Sequence, residues 1–436
     1  MTASTVARPP RTLSFLARAA GAVRRSTEAL VFSGAVVVAL AHAFDDAFLL
    51  NRAGVPLSQH ALAAGIALVA SVLAIVSFPS LRPGVRSAIA FVFGALAAIN
   101  GGRHAHHIAT VDVTANDVTG VLALAAGVVL IGLAAWIPFR HRGEGAATPA
   151  RRWAIRAVVA PVALLAVYVI GPPVGMALTD IHSLEKPVGN APNAAYKTVH
   201  FTASDGVELE GWYRPTRNGA TVLVIPGGGS NRMGPLRHAK MLERLGYGVL
   251  VYDARGLGHS EGTPNSYGWD WDKDIDAALA YLKQRDDVDP SRIGALGLST
   301  GADMAIDAAG RRSDIAAVVA DGTAAIGYHD IEEYSSKTLD RAPMWLLFKT
   351  MEVVRAGSAP KVSLADRIAQ TRAPHLLVAA GKQEKEWGEL YDKAGGSRSE
   401  VWYLPKASHT AALKQYPAQY EQRVAAFFDR HLGEDA

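Results

Sequence analysis

A chain of 436 residues exceeds the usual size of a single domain, so more than one module is expected. It contains no cysteine, which excludes disulfides, thiol catalysis and cysteine-ligated metals. The net charge of +4 is unevenly placed: residues 1–179 carry 14 basic and 6 acidic side chains, and the remainder 30 against 34, so the positive charge accompanies apolar segments and argues for membrane topology over nucleic-acid binding.

Residues 1–27 read as a basic tail, and residues 28–179 as a helical membrane domain. Its five apolar stretches run approximately Ala29–Leu49, Ala61–Phe78, Val85–Ile99, Val118–Phe139 and Trp153–Leu178. Each approaches the roughly 20 residues that cross a bilayer, the third being the shortest. The Arg24-Arg25 pair has the look of a cleavable signal, but four more apolar stretches follow it, so retained spans are expected.

Arginines set the expected orientation. Eleven fall before the first stretch or between the second and third and the fourth and fifth. Only Arg52 and Arg103 fall in the other two loops. This places the N-terminus in the cytoplasm and, with five spans of a cell membrane, the remainder of the chain outside it.

His42, Asp45 and Asp46 share one helical face, and on this topology they meet the same membrane face as His104, His106 and His107. Such a gathering either binds zinc or another divalent ion, or simply caps spans and solvates a loop. No defined metal motif is present, and the chemistry inferred below calls for neither metal nor cofactor.

After a linker over 180–195, strands and helices alternate. Two strands flank the turn signal Ser204-Asp205-Gly206. The apolar run Thr221–Ile225 leads into Pro226-Gly227-Gly228-Gly229-Ser230. Further apolar strands (Gly248–Tyr252, Ile293–Gly297, Ala316–Val319) alternate with amphipathic helices near Gly234–Leu245 and Asp272–Arg285. Such alternation predicts a mostly parallel sheet covered on both faces.

Gly297-Leu298-Ser299-Thr300-Gly301 follows a buried strand and precedes a helix. A nucleophilic serine requires this setting: a strained strand-to-helix turn with flanking glycines, which exposes the hydroxyl and aims a helix N-terminus at developing negative charge. His409, after the last strand (Glu400–Leu404) and before the final helix, is the expected general base. His375 opens a strand and His431 lies in the terminal helix. The acid should follow the penultimate strand, His375–Ala380, in the loop Gly381–Trp387. Glu384 is the first choice, Glu386 the second, and Asp321, after the preceding strand, the third. The oxyanion hole is expected from the N–H groups of Thr300 and Gly228. The Gly227–Gly229 run lacks the remaining pattern of a phosphate loop.

Residues from about 196 to 433 resemble an α/β-hydrolase of the bacterial esterase or dienelactone-hydrolase-like type. The resemblance rests on Pro226–Ser230, on Tyr252–Gly262, on the Ser299 elbow and on Ala407-Ser408-His409. It implies an α/β-hydrolase fold in which the Asp253–Gly262 loop, with Asp253 and His259, is scaffold. It also implies that residues of about 323–372, with apolar Met344–Phe348, form a cap over the site. Pro226 replaces a histidine frequent in relatives, and glutamate stands where aspartate is usual. The implied activity is hydrolysis of a carboxylic ester, thioester or amide through an acyl-Ser299 intermediate, on a small-molecule or lipid substrate. Acyl transfer, peptidase activity or a non-catalytic receptor are the alternatives.

Overall fold

The computed structural model describes residues 26–49, 57–110, 113, 115–141, 173, 176, 186–335, 338–355 and 359–434. The described residues up to 141 form one compact unit and those from 173 onward another.

The first unit contains α1 (Thr27–Phe44), which runs into a π-helical turn over Asp45–Leu49, then α2 (Leu57–Ser77), α3 (Pro83–Thr110) and α4 (Ala115–Arg140). By length and composition α1, α3 and α4 are each able to cross a membrane, whereas the apolar helical segment Ala64–Ser80, which takes in most of α2 and the short turn after it, is shorter. The third apolar stretch is therefore longer than its hydropathy suggests: α3 has 28 residues and carries its polar Asn100–His107 segment as helix. The fifth stretch, Trp153–Leu178, lies outside the described residues apart from Pro173 and Met176.

Bare backbones bring α3 and α4 together. A Cβ on Gly101 would lie 2.4 Å from the Gly120 carbonyl oxygen, and one on Gly127 2.6 Å from the Ala98 nitrogen, so only hydrogen fits at these crossings. Large apolar side chains such as Leu73, Val92 and Val128 point outward, while Phe32, Phe78 and Leu130 pack inside and the polar His42, His104 and Asp117 are buried as well.

The second unit is built on one eight-stranded sheet. Its strands are β1 (Lys197–Thr202), β2 (Glu208–Arg214), β3 (Thr221–Ile225), β4 (Gly248–Tyr252), β5 (Ile293–Leu298), β6 (Ala317–Asp321), β7 (His375–Ala380) and β8 (Ser399–Leu404). The spatial order is β1-β2-β4-β3-β5-β6-β7-β8. β1–β2 and β2–β4 are antiparallel and every other pair is parallel. β3, β4, β5, β6 and β7 are buried along their whole length, as strands covered on both faces must be.

On one face pack α6 (Trp271–Lys283), α7 (Thr300–Arg311), α9 (Thr338–Arg355), α10 (Leu364–Gln370) and α11 (Gly381–Gly395). The other face receives α5 (Leu236–Arg244) and α13 (Pro417–Leu432). Two short helices, α8 (Tyr328–Tyr334) and α12 (Ala412–Gln415), complete the set. This is the expected α/β-hydrolase architecture: a mostly parallel sheet between helical layers, preceded by apolar helices.

The region expected as a cap contains α8, α9 and α10. Leu347, Phe348 and Met351 of α9 join the main core, where Phe348 meets the rings of Tyr267, Trp269 and Tyr328, while Trp345 and Val353 face outward.

Candidate active site

β5 ends at Leu298 and α7 begins at Thr300, so Ser299 alone makes the turn. Its φ of 53° and ψ of −126° are strained for a residue with a side chain, and strain of this kind is held only where surrounding packing enforces it. The enforcement is visible. The Ser299 N–H donates to the Asp321 carbonyl at 2.8 Å, tying the elbow to the end of β6. A Cβ on Gly297 would sit 2.0 Å from the Gly301 oxygen, and one on Gly301 2.4 Å from the Pro226 oxygen. The two glycines of the motif are steric requirements.

From β8 the chain carries His409 back to the elbow. His409 Nε2 lies 2.9 Å from Ser299 Oγ, and Nδ1 lies 2.7 Å from Glu384 Oε1. The other Glu384 oxygen accepts the Ala380 N–H at 2.7 Å, so both carboxylate oxygens are engaged. Glu384 is mostly buried while His409 remains half-exposed. The hydrogen bond that His409 donates to Glu384, with the carboxylate's charge, raises the imidazole pKa against the opposing effect of burial.

Glu384 does not sit in a loop, as its sequence context suggests. Gly381, at φ 71°, turns the chain from β7 directly into α11, and Glu384 occupies the first turn of that helix. Its side chain folds back onto an N–H preceding the helix, in the manner of a capping carboxylate. Glu386 points elsewhere, accepting from the Tyr334 hydroxyl and facing Lys382. Asp321 is buried at the end of β6, and burial, aided by the Glu384 charge, pushes its carboxyl up to about 7.

Gly228 and Thr300 are neighbours. A Cβ on Gly228 would lie 2.8 Å from Thr300 Oγ1, and one on Gly227 3.4 Å from Ser299 Cβ. Ser230 N–H closes a turn on the Gly227 carbonyl at 3.1 Å. Thr300 opens α7, so its N–H belongs to the first turn, which has no intrahelical acceptor. Its hydroxyl donates to the Ser266 carbonyl at 2.5 Å, anchoring that end of the helix.

Asp253 is fully buried and accepts the N–H groups of Arg232 and His259 together with the Arg232 guanidinium. His259 faces Glu210. Both residues brace loops. His375 is buried in β7, where desolvation lowers its pKa to about 4. Sequence reasoning missed Gly322: at φ 85°, its missing Cβ would stand 2.9 Å from His409 Cε1. An Asp-Gly pair ending a strand was the available signal.

Residues 191–428 match the model of the X-Pro dipeptidyl-peptidase (S15) family, more than half of the chain. The chain belongs to this hydrolase family. Among curated proteins, the S15-family chain is 34% identical to uncharacterized protein YfhR of Escherichia coli over 147 residues, 32% of this chain and 51% of that one. It is 31% identical to uncharacterized protein MT2364 of Mycobacterium tuberculosis over 203 residues, 45% and 66% of the two chains. Quorum-quenching protein AidA of Acinetobacter baumannii is 33% identical over 31% of this chain and 45% of its own. The S15-family chain thus spans about half to two thirds of the length of the relatives it matches. A solved esterase of Pyrococcus furiosus, Pf2001, is 24% identical, with a TM-score of 0.46 over 57% of this chain and 99% of that one.

Proposed function

We propose that the protein is a membrane-anchored serine hydrolase that cleaves a carboxylic ester, or a related thioester or amide, through an acyl-Ser299 intermediate. The observation that carries this reading is the continuous chain Ser299 Oγ–His409–Glu384, with contacts of 2.9 and 2.7 Å, built on a strained elbow. Ser299 Oγ attacks the carbonyl carbon while His409 Nε2 takes its proton. The N–H groups of Gly228 and Thr300 receive the developing oxyanion. His409 then returns the proton to the leaving group and next activates the water that releases the acid. Glu384 holds the ring in the Nδ1–H tautomer and stabilises its charged form.

Support for the anchor comes from three helices among the described residues with membrane-crossing length and apolarity. Arg86, Arg140 and His141 gather on buried Glu28 at the start of α1. Their position and the arginine asymmetry favour a cytoplasmic location for that end and an extracytoplasmic hydrolase domain. The substrate would be a small-molecule or lipid acyl compound.

Peptidase activity is the second reading, favoured by the matched family's own name. One experiment tests the mechanism: fluorophosphonate labelling of the intact protein, expected to be strong and to vanish in Ser299→Ala. Unlabelled wild type, or labelling that survives the substitution, would refute it. Parallel assays on p-nitrophenyl esters and X-Pro p-nitroanilides separate the two substrate classes.

A further inference from the structure

The helical unit has a polar centre that the hydrolase chemistry does not use. At the end of α1, His42 and Asp46 meet His104 of α3, and their ligand-capable atoms all lie within 4.8 Å of one another. His42 and His104 are almost fully buried. We propose that His42 Nε2, His104 Nε2 and the Asp46 carboxylate form a zinc-binding site, with a fourth position open to water.

The hydrogen bonds around the cluster set its donors. His104 Nδ1 lies 2.9 Å from Asp117 Oδ1, and a carboxylate only accepts, so the proton of a neutral ring is on Nδ1 and Nε2 presents a lone pair. Thr119 donates its hydroxyl proton to Asp45 and so accepts from His42 Nδ1 at 3.0 Å, which leaves the His42 Nε2 lone pair in the same way. Both lone pairs face one carboxylate: His42 Nε2 is 3.4 Å from Asp46 Oδ2, and His104 Nε2 is 3.9 Å from Oδ1. Three electron-rich groups converging inside a protein favour a cation among them.

Protons fit poorly. Charging both rings would place two imidazoliums with centroids 4.8 Å apart in a buried site, and the 3.4 and 3.9 Å from the two Nε2 atoms to Asp46 exceed the roughly 2.7–2.9 Å of charge-assisted hydrogen bonds. A tetrahedral zinc ion, with bonds of about 2.0–2.1 Å, separates its ligand atoms by roughly 3.3 Å, close to the first of these distances.

The surroundings are those of a supported metal site, in which each ligating imidazole hands its second nitrogen to an orienting partner. Here Thr119 and Asp117 play that part, and Asn100 and Asn116 hold Asp46 at 3.2 and 2.8 Å. Gly120 makes the room: a Cβ there would strike the His104 ring at 2.3 Å. Two imidazoles and one carboxylate suit zinc, and three protein ligands with a free position is the pattern of sites that bind a reactive water.

The test uses the full-length protein in detergent, stripped with chelator, reloaded with zinc and freed of excess. Mass spectrometry should find about one zinc per chain in wild type and in Ser299→Ala, so the result is independent of the hydrolase reading. Asp46→Asn keeps the side-chain volume and should weaken zinc at least about tenfold, as should the double variant His42→Ala/His104→Ala. Cobalt in place of zinc should give tetrahedral d–d absorption that these variants lose. Wild type that binds no zinc above the buffer blank, or variants that bind as wild type does, would overturn the proposal. Where the alanine variant does not fold, Asp46→Asn decides.

Discussion

Glu384 holds His409 with one carboxylate oxygen while its other oxygen is pinned by the Ala380 N–H, so the imidazole is oriented by a group that is itself anchored to the end of β7. A carboxylate fastened at both oxygens has little freedom to rotate away. This makes Glu384, on the first turn of a helix, a rigid support for a half-exposed histidine.

Removing the charge should therefore be costly. Glu384→Gln is expected to lower kcat on an activated ester by about 10³–10⁴-fold, because the amide no longer enforces the Nδ1–H tautomer or stabilises imidazolium. Glu386→Gln should leave kcat within about twofold, since Glu386 faces Tyr334 and Lys382. Steady-state kinetics of the two variants side by side provide the check.

The pH profile carries the same signature. As the proposed base, His409 would act only when neutral, and Glu384 raises its pKa, so activity should fall as pH drops through that raised value. In Glu384→Gln the stabilisation of the charged ring is lost and the acid limb of kcat/KM should move to lower pH. An unmoved limb would assign the inflection to another group.

Gly322 and Gly206 share a φ of 85° but differ in surroundings. Gly206→Ala meets nothing within 4 Å and should cost about 1 kcal/mol of backbone strain, with kcat unchanged. Gly322→Ala adds a methyl 2.9 Å from the His409 ring, so it should cost about 1–3 kcal/mol and also lower kcat. Thermal melts together with kinetics separate backbone strain from displacement of the His409 ring.

Asp321 offers a stability test. Its folded pKa, about 7, lies above the ordinary carboxylate value because of burial. Sign follows from linkage: such a group favours the folded state fully below its unfolded pKa, and the advantage is lost as pH rises through about 7. Asp321→Asn, which cannot ionise, should therefore melt higher than wild type at pH 8, with the difference shrinking toward pH 4. Melting curves across that range decide it.

Elements whose cause is local are legible in the chain. Apolar runs bounded by glycine specify buried strands, and the chain 297–301 can only turn sharply because Gly297 and Gly301 leave room for carbonyl oxygens that a Cβ would strike. Ser299 is legible for that reason, and His409 because it follows the last strand at the same end of a parallel sheet.

Which of several similar groups arrives at the site depends on long-range packing. Glu384 and Glu386 are two residues apart, a loop in either case by local signals. Once Gly381 starts a helix there, they point to opposite sides, and only Glu384 faces His409. Asp321 belongs to the same corner yet gives the elbow its carbonyl and keeps its carboxyl buried. In the helical unit, hydropathy breaks off near Ile99, but backbone hydrogen bonding continues regardless of side-chain polarity. α3 therefore runs on to Thr110, because Asn100, His104 and His107 find Asp46 and Asp117 across the bundle. Those partners lie 10 to 54 residues away, and no period in the sequence reaches that far.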